Sequence, residues 1–140
     1  MRLFLDANVL VSVLNKEYPL FTYSSRILSL TDNKNYEVCT SPLCLAIAFY
    51  FAEKKNKKLA RQKISILSEN LSITTIDQST VKKATTNSAG HDFEDGLEYF
   101  SAIESKCDCI ITEDVDDFYF STIDVFSCET FFDKHLAIKK

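Results

Sequence analysis

Three stretches of the chain place carboxylates where they can do chemistry. Asp6 follows the apolar run MRLFL, and Asn8 comes two residues later. Asp92 and Asp95 lie three apart in HDFEDGLEYFSAIESK, a spacing that puts both on one face of a helix. A second apolar run, CIITED, ends in Thr112, Glu113 and Asp114, with Asp117 close behind. Carboxylates gathered on one edge repel one another and raise each other's pKa unless a cation neutralises them. An oxygen-only cluster without His or Cys suits Mg2+ or Mn2+, hard ions that keep waters and bind substrate phosphates. An ion held in this way activates water and offsets the charge that develops in phosphodiester cleavage. Each acid also has a purely structural explanation. Asp6 could bond the turn after a strand, Asp92 with Asp95 could cap a helix N-terminus, and TEDVDDF could be a turn. Metal binding is the reading that accounts for all of them together.

These groups meet only if the chain folds so that strand ends share one rim. LFLDANVLV has the continuous apolar character of a strand buried on both faces, as in a parallel sheet. In LFTYSSRILSL, Leu20, Tyr23, Ile27 and Leu30 fall on one side of a helix. YEVCTS reads as a short strand closed by Ser41 and Pro42, a helix start with proline in the first turn. LCLAIAFYFA is apolar all round and predicts a central helix; a basic helix follows over about 56–69. LSITTI reads as a strand, and Asp77 or Ser79 starts a helix that runs to about residue 87. Asp92 caps the next helix, whose inner stripe is read as Phe93, Leu97, Phe100 and Ile103, with Tyr99 nearer the edge. DCIIT is a strong strand, STIDVFS a weaker one and CETFFDKHLA a short terminal helix. The alternation predicts a parallel α/β sheet of four or five strands, with right-handed crossovers that put the carboxyl ends on one rim. Ligands bind beyond such ends, where strand order reverses.

Composition narrows the class. The chain has 140 residues, 46% of them hydrophobic, with only two glycines and two prolines, which predicts one domain over 1–140 without linkers. The five cysteines show no disulfide-framework or zinc spacing and read as buried thiols; Cys107 and Cys109 are predicted to share one strand face. Net charge is −4, which opposes phosphate binding overall, yet KKNKKLARQK gathers Lys54, Lys55, Lys57, Lys58 and Arg61 without an acid. That run is either a solvated helix face or a phosphate-steering edge for RNA. The opening apolar run is broken at Asp6, and no stretch suits a membrane helix, so a soluble cytoplasmic protein is expected. His91 and His135 have no partners at catalytic spacing, and His91 reads as a loop residue. The aromatic runs at Phe49–Phe51 and Phe118–Phe120 suit core packing or a dimer face better than base stacking.

The blocks FLDANVLV and DFEDGLEYFSAIESKCDCIITEDVDDF resemble those of PIN-domain ribonucleases, in particular VapC-like toxins of type II toxin–antitoxin pairs. IDVFSCETFF resembles the closing strand and helix of such domains, so the resemblance spans essentially the whole chain. It implies a three-layer α/β/α fold with strand order 3-2-1-4-5. It also implies Mg2+- or Mn2+-dependent hydrolysis of RNA, with Asp6, Asp95 and Asp114 as catalytic metal ligands. Asn8, Thr112, Asp92 and Asp117 would be supporting residues. A cognate antitoxin covering the acidic groove and a homodimer are implied as partners. One departure stands out: relatives usually carry an acid on the helix after the second strand, where this chain has Ile47 or Ala48. That departure supports an alternative, a non-catalytic PIN-like binding module. A haloacid-dehalogenase type of phosphatase would match LFLDANVL, but it needs an acid where Asn8 stands.

Overall fold

The computed structural model describes residues 1–86 and 91–138. Five strands form one parallel sheet: β1 (Arg2–Leu5), β2 (Glu37–Thr40), β3 (Ser72–Ile73), β4 (Cys109–Ile111) and β5 (Asp124–Phe126), in the order β3-β2-β1-β4-β5. The helices are α1 (Ala7–Leu14), α2 (Phe21–Leu28), α3 (Pro42–Lys55), α4 (Lys57–Asn70), α5 (Gln78–Thr86), α6 (Phe93–Glu104) and α7 (Cys128–Phe131). The chain builds the α/β/α arrangement expected from its alternation. α1 packs on α2 and α3, α3 on α4, and α5 on α6. Among the described residues no helix is long and apolar enough to cross a membrane.

β1 is central, and Leu3, Phe4 and Leu5 are wholly buried, flanked in register by Val38 and Cys39 on one side and Cys109, Ile110 and Ile111 on the other. Burying three such side chains contributes roughly 1.5–3 kcal/mol each, so the middle of the sheet is its most rigid part. That rigidity serves the rim. β1 and β4 are neighbours whose chains run the same way, so Asp6 and Thr112 leave the sheet side by side.

Several predicted elements differ from those observed. The strand read as LFLDANVLV stops at Leu5, and Asn8–Leu14 belongs to α1. Asp6 is the reason: its carboxylate accepts the Ala7 amide and starts a helix. LSITTI yields a strand of only two residues, β3. α3 starts at Ser41, whose hydroxyl accepts the Cys44 amide, as read; yet it is not buried all round. Only Cys44, Ala48 and Ala52 are buried, while Tyr50 and Phe51 face outward. Residue 87, the predicted end of α5, lies outside the described residues. Asp92 caps α6 through the Asp95 amide, but its inward face is one position off the predicted stripe. It buries Glu98, Tyr99 and Ala102 and leaves Phe93 exposed. Cys107 precedes β4 rather than lying in it, and all five thiols are free and buried.

Candidate active site

The end of β1 is fixed before its side chain does anything. The Asp6 amide donates to the Ile111 carbonyl at 3.0 Å, tying the strand end to β4. The two carboxylate oxygens then have separate partners. Oδ1 accepts the Ala7 amide at 2.6 Å, and Oδ2 accepts the Thr112 hydroxyl at 2.8 Å. Both partners are themselves buried, so the Asp6 carboxylate is held in one orientation at the base of the rim.

Thr112 is the hub of a small network. Its hydroxyl donates to Asp6 and accepts from the Asp114 amide at 3.0 Å and from Asn8 Nδ2 at 3.2 Å. Asn8 Nδ2 also reaches Asp114 Oδ2 at 3.1 Å, and Asn8 Oδ1 accepts the Glu113 amide at 3.3 Å. Asn8 therefore staples the turn after β4 to the first turn of α1, which explains an amide two residues after Asp6. Glu113 turns away and accepts the Cys128 amide at 2.9 Å, where α7 begins. Replacing Thr112 by valine keeps the shape but leaves Asp6 Oδ2 and the Asp114 amide without their partner. The expected result is a loss of about 1–3 kcal/mol in urea unfolding, with Thr112→Ser close to wild type because it retains the hydroxyl.

Asp6, Asn8, Asp95 and Asp114 line one pocket of about 320 Å³, together with Glu17, Glu94, Ile47 and Phe51. Asp95 comes from the first turn of α6, and its carboxyl is pushed up to about 7 by burial and by the charges of Asp92, Asp117 and Asp6. Glu94 is raised for the same kind of reason, burial first and then Asp92 and Asp6. These shifts express one fact: the pocket concentrates negative charge without a cation. Asp92 serves as the α6 cap, and Asp117 acts on Asp95 by its charge from the exposed turn after β4. Ile47 forms part of the wall, at the place on α3 where relatives were expected to carry an acid.

Two buried residues that sequence reading did not place in the site lie against Asp6, outside the pocket lining. Glu98, 1% exposed, places Oε1 3.4 Å from Cys44 Sγ, which also lies 3.9 Å from Asp6 Oδ1. Burial, then the Asp6 charge, lifts the Glu98 carboxyl to about 10, and burial beside the same two acids raises the Cys44 thiol well above its ordinary range. Glu98 Oε2 has no hydrogen-bond partner. Asp6, Cys44 and Glu98 thus form a buried group able to hold a metal ion. The donor chemistry and the orphaned buried oxygen both fit a divalent cation. The signal for Glu98 was present: it stands three residues after Asp95, on the same helical face.

The basic run divides. Lys55 donates to the Asn15 carbonyl at the end of α1, while Lys54 lies 4.5 Å from the Tyr50 ring centre and 6.0 Å from that of Phe51, the pocket residue. Arg61 stacks over Phe49 at 5.7 Å, and Lys57 and Lys58 are exposed. A larger groove of about 480 Å³ lies away from these acids, between α1, α2 and α4. Its walls are mainly apolar, with Asp32 as their one carboxylate.

Comparison with known proteins agrees with this geometry. The chain is 27% identical to ribonuclease VapC1 of Aquifex aeolicus (strain VF5) over 134 residues, covering 93% of this chain and 92% of that protein. In fold it resembles VapBC2 from Rickettsia felis, solved bound to a DNA fragment from its promoter (TM-score 0.69, 19% identity, 91% of this chain and 98% of that one). It also resembles Mycobacterium tuberculosis VapC20, described as a sarcin–ricin loop cleaving toxin (TM-score 0.68, 15% identity, 88% and 98%). The family model for the PIN domain matches residues 2–116, from the start of β1 through the last of the pocket acids. The chain belongs to the PIN-domain family.

Proposed function

We propose that this protein is a Mg2+- or Mn2+-dependent endoribonuclease that hydrolyses RNA phosphodiester bonds, acting as the toxin of a type II toxin–antitoxin pair. The observation that carries the proposal is the convergence of Asp6, Asp95 and Asp114 from three separate elements on one pocket. The likeness to a ribonuclease along nearly the whole chain supports the same activity.

Asp6, Asp95 and Asp114 would hold the ion. When bound, a divalent cation polarises water and phosphate and neutralises the negative charge that builds up during in-line attack. The chain's own residues prepare the site. Thr112 and Asn8 fix the rotamers of Asp6 and Asp114, which lowers the ordering cost of ligation. Asp95, protonated in part near neutral pH, is the carboxyl whose charge state a cation would change most. Lys54, which sits over the ring of the pocket residue Phe51, with Lys57, Lys58 and Arg61 along α4, would attract the RNA backbone to an otherwise acidic surface. A cognate antitoxin would restrain the enzyme by covering the acidic groove.

The test is cleavage of RNA by the purified protein. Cleavage is expected with Mn2+ or Mg2+, abolished by EDTA and restored when the ion is returned. Cleavage that persists in EDTA would refute the metal assignment. The competing reading, a binding module without catalysis, is favoured by the apolar Ile47 in the pocket wall. It predicts intact RNA with either ion.

A further inference from the structure

Beside Asp6, three side chains from three elements meet, and no cation from the described residues is among the charges acting on Glu98. Asp6 caps α1, Cys44 lies in the first turn of α3 and Glu98 in the middle of α6. Each offers one ligand atom, and the three atoms lie within 4.8 Å of one another. Donors about 2.0–2.3 Å from a single ion stand at most roughly 4.5 Å apart, so one cation spans the set with a shift of a few tenths of an ångström. Glu98 and Cys44 are 1% and 0% exposed, and Glu98 Oε2 is unpartnered. Leaving a buried carboxyl oxygen unpaired costs about 1–3 kcal/mol. The charges that act on Glu98 belong to Asp6 and Asp95, both negative, and its partners are another carboxyl, Asp6, and the Cys44 thiol, all three groups able to bind a cation.

We infer that Asp6, Cys44 and Glu98 form an inner cation position beneath the rim acids, with Asp6 shared between the two. The inference rests on the reading of Asp6 as a metal ligand. Asp6 is the group that belongs both to the pocket lining and to the buried cluster, and it marks the way in. α3 presents Cys44, Ile47 and Ala48 where an acid could face the site, and Glu98 supplies a carboxylate from the opposite helix. Sulfur in the set selects the ion. Mg2+ takes hard oxygen ligands, whereas Mn2+, Zn2+ and Cd2+ accept a thiolate with increasing ease. Binding forms metal–sulfur and metal–oxygen bonds and releases to solvent the Cys44 proton and any proton held on Glu98.

The experiment titrates the full chain with Cd2+, read by the thiolate-to-cadmium charge-transfer absorbance, and with Mn2+ by calorimetry. Wild type is expected to develop the band. Cys44→Ser removes it, while a double Cys39→Ser, Cys107→Ser variant keeps it, which separates this thiol from the neighbouring pair. Glu98→Gln preserves size and can keep its contact with Cys44, and it is expected to weaken Cd2+ and Mn2+ binding about tenfold or more. A band that survives Cys44→Ser, or affinities unchanged in Glu98→Gln, overturns the inference. Asp114→Asn separates the two levels. If it weakens Mn2+ binding and Glu98→Gln does not, the inner position alone is refuted. If wild type binds no Mn2+, or binds it equally without Asp114, the rim reading falls with it.

Discussion

Asp6→Asn is expected to lower the proposed divalent-ion-supported RNA cleavage on the order of 1,000-fold or more while leaving the fold in place. The size follows from what a ligated ion contributes to a phosphodiester transition state, several kcal/mol, with each ~1.4 kcal/mol worth tenfold in rate. The sparing of the fold follows from local structure. Asparagine caps a helix as well as aspartate, and its amide oxygen can accept the Ala7 amide as Asp6 Oδ1 does. Its amide nitrogen faces the Thr112 hydroxyl, whose two lone pairs already accept from the Asp114 amide and Asn8 Nδ2, so that one hydrogen bond is lost at a cost of about 1–3 kcal/mol. Removing the Asp6 charge relieves Asp95 and Glu98, whose carboxyls it helps to raise, and this offsets the loss. Thermal melting of the metal-free variant should therefore stay close to that of wild type. Cleavage within tenfold of wild type would show that Asp6 is a cap and nothing more.

The same residue shows how much of the site sequence reading could reach. Asp6, Asp95 and Asp114 were legible because each sits at the mouth of a strong element, and a parallel sheet sends such mouths to one rim. Asn8 was legible as a companion, although its actual work, bridging Thr112, Asp114 and the Glu113 amide, depends on β1 and β4 being adjacent. The length of β1 was not legible, because VLVSVL suits strand and helix alike and a capping hydrogen bond decides between them. Glu98 was hidden by apolarity. Phe93, Leu97, Phe100 and Ile103 make a plausible inward stripe, but the small residue Gly96 faces α5, where an added Cβ would meet Ala84 at 3.2 Å. Glu98 is fully buried, whereas Leu97 is only half-buried. Tyr50 and Phe51 were misread in the opposite sense. A helix apolar all round suggested deep burial, yet these rings are exposed, and Phe51 borders the pocket.

The buried acid has a thermodynamic signature that a metal-free sample should display. In the unfolded chain Glu98 ionises near its ordinary value of 4.5, whereas in the fold it holds its proton to about 10. Between those limits the native state binds the extra proton, so stability is complete below the lower value and declines as pH rises, by at most ~1.4 kcal/mol per unit. At pH 7 the accumulated cost is about 3 kcal/mol. Asp95 contributes a decline of the same sign, confined to the window between 3.8 and about 7. Above that window Cys39, lowered to about 7 by its hydrogen bond with Cys107, adds a slope of the opposite sign, so the share of Glu98 is read as the difference between wild type and a Glu98 variant at each pH. Glu98→Gln, uncharged at every pH, should raise the unfolding free energy by about 3 kcal/mol at pH 7, and its advantage over wild type should keep growing toward pH 8 by at most ~1.4 kcal/mol per unit. Urea unfolding of both proteins in EDTA at closely spaced pH measures this directly, and an unchanged slope would mean that Glu98 ionises freely in the fold. Mn2+ should reverse the ranking, because a ligand that binds only the native state stabilises most the chain that binds it best. A Glu98 that weakens the empty protein and strengthens the loaded one would carry the signature of a ligand-binding side chain.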